Sequence, residues 1–86
     1  MSGNNLGGVY RGVVIDARDP ERRGRVQLRV PMVSGDEKIW ALVVAQGRAA
    51  FIPEAGNEVL VAFEGGDPRS PFVLGTLWDS SDLPPD

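Results

Sequence analysis

"IPEAGNEVLVAFEGGDPRSPFVLG", residues 52–75, holds two extended runs joined by a compact reversal. Within "NEVLVAFE" (57–64), Val59, Val61 and Phe63 recur at a period of two. Glu58, Leu60, Ala62 and Glu64 fall on the opposite face, which is the pattern of a half-buried strand. "GGDPRS" then supplies turn chemistry from Gly65, Gly66, Asp67 and Pro68. Glycine tolerates positive φ, proline fixes φ near about −65°, and aspartate accepts a hydrogen bond from the backbone N–H two residues on. A second apolar run, "PFVLGTLWD" (71–79), resumes at once. The stretch therefore reads as two antiparallel strands and their turn.

A similar turn phrase, "DPERRGRV", occupies residues 19–26, with Asp19, Pro20 and Gly24 shaping the reversal. It separates "VYRGVVIDAR" (9–18) from "RVQLRV" (25–30), in which Val26, Leu28 and Val30 alternate with Arg25, Gln27 and Arg29. In the first run Val9, Arg11, Val13 and Ile15 oppose Tyr10, Gly12, Val14 and Asp16. Gly12 suggests a bulge or sharp bend, such as a strand serving two sides of a small barrel requires. Pro31 ends ladder pairing or marks an edge. "KIWALVVAQ" (38–46) is short, β-branched and aromatic, which favours a strand. No segment carries a helical period with caps, and residues 47–56 hold at most one helical turn, interrupted by Pro53.

Five short strands with near-regular turns predict an all-β domain, and closure into a barrel removes exposed edges. A five-stranded Greek-key barrel of the oligonucleotide/oligosaccharide-binding (OB) type suits the count and length; an SH3-like barrel is the competing pattern. Residues 9–79 would form the barrel, with a flexible segment at 1–8 and a Ser/Asp/Pro-rich linker or tail at 80–86.

Composition excludes several functions. The chain has 86 residues and contains neither Cys nor His. A disulfide, a thiolate and the commonest general base are therefore absent, and no catalytic, cofactor or metal site is expected. Asp36–Glu37 reads as a solvated turn, and "EGGDP" lacks the Lys of a phosphate-binding loop. Net charge is −3, although six of the nine basic residues lie between Arg11 and Arg29. A single-stranded nucleic-acid module, the alternative reading, needs a basic groove set with stacking aromatics. This basic stretch has Tyr10 at its margin and no other aromatic, so no nucleic-acid partner is expected. The start lacks a charged region followed by an apolar core, and no apolar run approaches the ~20 residues of a membrane helix.

The apolar pattern exceeds what one small core can absorb. Ile39, Ala41 and Val43 oppose Trp40, Leu42 and Val44, and Leu60 and Ala62 face away from Val59, Val61 and Phe63. Either choice of face leaves apolar groups outside, which points to a contact surface.

"YRGVVIDARDPERRGRVQLRVP", "IWALVVAQ" and "IPEAGNEVLVAFEGGDPRSPFVLGTLWD" together resemble the OB domain of phage baseplate assembly protein V and of the valine-glycine-repeat spike proteins of type VI secretion. The resemblance runs in order over residues 9–79. It implies a non-enzymatic part of a contractile-tail or injection-machine spike: a homotrimeric collar between the tube hub and a needle or tip protein. Tyr10, Arg22, Arg23, Trp40, Leu42, Leu60 and Arg69 would contribute to its interfaces. Membrane contact would come through other spike parts. The chain would be made in the bacterial cytoplasm before joining a baseplate or spike. The resemblance implies no cofactor. It departs at "DSSDLPPD" (79–86), where spike chains usually continue into a β-helical needle. Met1 followed by "SGNNLGG" suggests a genuine start.

Overall fold

A computed structural model describes residues 5–20, 24–45 and 52–77. Its strands are β1 (Tyr10–Asp16), β2 (Arg25–Arg29), β3 (Ile39–Val43), β4 (Glu58–Phe63) and β5 (Pro71–Thr76). They close into a barrel in the order β1-β2-β3-β5-β4, with β1 also paired to β4. All neighbours are antiparallel except β3 and β5, which run parallel through Leu42–Phe72 and Val43–Val73. The domain is all-β, and the closed five-stranded barrel agrees with the expected OB type.

Alternation selects the inner wall as the sequence suggests. Val26 and Leu28 of β2, and Val59, Val61 and Phe63 of β4, are buried. Val14, Val30, Ala41 and Val73 complete the core. These side chains are mostly small and β-branched, which suits the tight interior of a five-stranded barrel.

Gly12 does not mark a bulge. It pairs regularly with Val59, and the irregularity of β1 against β2 falls later, between Val14 and Asp16. A Cβ at Gly12 would lie 2.9 Å from the Arg29 carbonyl oxygen and 3.3 Å from methyl groups of Val30 and Val61. Glycine is required there because another backbone passes close by, and the strand bends elsewhere. A second bulge separates Leu60 from Val61 in the β4–β5 ladder, supplying curvature for closure.

Pro31 opens a one-turn helix, α1 (Pro31–Ser34), that the sequence reading did not anticipate. Proline is well placed at a helix start, where its missing N–H has no partner to lose. Gly35 ends the turn at φ 61°, and its N–H donates to the Pro31 carbonyl. None of its residues is fully buried, so α1 carries no helical period to read. The helical turn considered for residues 47–56 lies partly outside the described residues. Within its described part, Gly56 at φ 92° donates to the Val14 carbonyl, and Asn57 Oδ1 accepts from the Glu54 N–H. Buried Pro53 and this turn lead the chain into β4.

Candidate assembly surface

β3 sits between β2 and β5, so its outward residues become the middle of the outer wall. Ala41 points inward, and the period of two sends Trp40 and Leu42 outward, 37% and 43% exposed. Leu42 lies opposite Phe72, which lies opposite Ala62, giving a continuous apolar row across β3, β5 and β4. Leu74, at the bulge, adds another exposed aliphatic side chain, and Val44 extends the surface beyond β3. Leu60 is half-buried on the outer side of β4, opposite Gly75 and flanked by exposed Arg11 of β1. Apolar side chains therefore cover part of the outer wall, outside the core.

The expected interface residues divide by position. Trp40, Leu42 and Leu60 fall on this wall. Tyr10 turns to the inner side, half-buried against the core, with its ring edge-on to Phe63 at a centroid distance of 5.6 Å. Arg69 lies on the β4–β5 turn, away from the strands of this wall. Arg22 and Arg23 lie outside the described residues. Phe72 and Leu74 were missing from the expected set, although "PFVLG" carries their alternation openly.

Each of the two Asp-Pro turns carries an aspartate bonded to an arginine. Asp67 Oδ1 accepts from the Arg69 N–H at 2.9 Å, the expected local hydrogen bond, and both carboxylate oxygens accept from the Arg69 guanidinium. These bonds, side-chain first, hold the Asp67 carboxyl below its usual range and raise Arg69. Asp16 and Arg18 repeat the same two-residue clamp, with the same directions of shift. Asp19 also accepts from a residue six along, from the Arg25 backbone N–H at 3.3 Å and from its guanidinium at 3.1 and 3.0 Å. Arg25 in turn covers the Trp40 ring.

That chain of contacts bears on chemistry. The Arg25 guanidinium is held by a carboxylate, and one face of Trp40 is covered by the same group. A base would have to displace this arrangement before stacking on Trp40. Among the described residues, no group of three acidic, Cys or His side chains could hold a metal ion. Among the described residues, no helix is long and apolar enough to cross a membrane.

Comparison with known proteins follows the same lines as the geometry. A family model described as the type VI secretion system/phage-baseplate injector OB domain matches residues 10–78, from the first residue of β1 to just beyond β5. The "Actin cross-linking toxin VgrG1" of Vibrio cholerae serotype O1 is 33% identical over 75 residues, covering 76% of this chain and 7% of that protein. The chain thus spans less than a tenth of the length of that relative. Its closed barrel, its order of strands and its match over nearly all of the described residues have one reading: the chain belongs to the injector OB-domain family of type VI secretion systems and phage baseplates.

Proposed function

We propose that this barrel is a structural collar in the spike of a contractile injection machine, linking the tube hub to the piercing tip as a homotrimer. The observation that carries the reading is the apolar row Leu42–Phe72–Ala62, extended by Trp40, Leu74 and Leu60 on the outer wall. Association of three copies gives this wall a partner and adds apolar burial to a small core, at ~25 cal/mol per Å2 before association costs. The role requires no reaction. Its residues position neighbours, and membrane contact belongs to other spike parts.

The test is the solution mass of the chain with the hub and the tip protein present, measured by light scattering. Three copies per particle are expected. A barrel that stays monomeric beside both hub and tip would contradict the trimer.

A further inference from the structure

Residues 5–8 precede β1 and were expected to form part of a flexible leader. Leu6 is instead half-buried and packs against the core, and its N–H donates to the Gly66 carbonyl at 2.9 Å. Gly66 is buried at φ 78°, three residues beyond Phe63, the last core residue of β4. A Cβ at Gly66 would collide with the Asn5 side-chain oxygen and lie 3.1 Å from the Leu6 nitrogen. Glycine is therefore required twice over, for its backbone conformation and for the space the crossing segment occupies. The Asp67–Arg69 clamp begins at the next residue.

We infer that residues 5–8 form a strap across one end of the barrel, with Leu6 as its plug and Gly66 as its seat. The strap and the β4–β5 turn hold each other in place. A partner that grips the strap must lift Leu6, and in doing so it releases the turn that presents Pro68 and Arg69. The segment ahead of β1 is thereby coupled to the far end of β4. This coupling stands on the monomer's own contacts and does not depend on the trimer.

A double-mutant thermal cycle on the full chain tests it. Leu6→Ala in the native background should lower Tm by about 5 °C, as expected for trimming a half-buried leucine in a domain of this size. In a Gly66→Ala background, where the strap is already displaced, the same change should move Tm by less than about 1 °C. Equal shifts in both backgrounds would overturn the strap. Should Gly66→Ala fail to fold, amide exchange in the unmodified chain decides. The Leu6 N–H should exchange at least about tenfold more slowly than in an unstructured peptide of the same sequence. Exchange at the peptide rate would contradict the proposal.

Discussion

The Arg25 guanidinium lies 4.8 Å from the centroid of the Trp40 ring while binding both carboxylate oxygens of Asp19. Three elements meet there: the first Asp-Pro turn, β2 and β3. The Asp19 side chain is only 6% exposed and that of Arg25 22%. A charge pair so shielded is costly to break from one side, because the remaining charge is left without its partner.

Asp19→Asn should therefore destabilise the barrel by about 1–2 kcal/mol, seen as a lower midpoint in urea with a matching change in Trp40 fluorescence. Asp67→Asn should give a much smaller shift, since the Arg69 and Asp67 side chains are 88% and 37% exposed. Equal shifts at the two aspartates would remove the distinction drawn between the turns.

Gly12→Ala should cost about 1–3 kcal/mol, because its methyl group meets the Arg29 carbonyl and the Val30 and Val61 methyls with no flexible neighbour to yield. Gly75→Ala, on the outer wall with nothing within 4 Å of an added Cβ, should leave thermal stability nearly unchanged. Thermal melts of the two variants make the comparison.

Asp16 and Asp67 carry depressed carboxyl pKa values in the folded chain, each caused first by a side-chain bond from a nearby arginine. A depressed folded value favours folding above the unfolded value, near about 3.9, and the contribution is lost as pH falls through the folded value. Carboxyl carbon titration by NMR should place both midpoints below the usual aspartate range. Arg69→Ala should return the Asp67 midpoint towards about 3.9 while leaving Asp16 unchanged.

The sequence carried the fold where one strand explained itself. The period of two in "RVQLRV" and "EVLVAF" named Val26, Leu28, Val59, Val61 and Phe63 as core, and they are buried. It also named Asp67 as a turn acceptor, because that bond spans two residues. What it missed depends on other parts of the chain. The space at Gly12 is bounded by β2 and β4, the Asp19–Arg25 pair closes across six residues, and Leu6 is ordered by a turn sixty residues away. The helix α1 is one turn long with no fully buried side chain, so no pattern announces it. On the assembly wall, Trp40, Leu42 and Leu60 were legible as surplus apolar residues. The row through Phe72 became visible with the β3–β5 pairing, which joins strands distant in sequence.

Inner and outer leucines should separate stability from assembly. Leu28→Ala, at a fully buried position, should cost about 2–5 kcal/mol, a large share of the roughly 5–15 kcal/mol typical of a domain. Leu42→Glu, on a side chain 43% exposed, should leave the β circular dichroism spectrum and the melting midpoint close to those of the parent. Leu60→Glu tests the same wall from β4. Loss of the β spectrum there would mean that its half-buried side chain belongs to the core.

The central claim is that a folded barrel joins a larger machine through its outer wall, and joint elution with the hub protein tests it most directly. The tagged chain, produced with the hub and tip proteins of its own injection system, should elute with them as one particle. Leu42→Glu should elute alone while still folded. A parent chain that is folded yet elutes apart from both proteins, or a Leu42→Glu variant that assembles as well as the parent, would contradict the account.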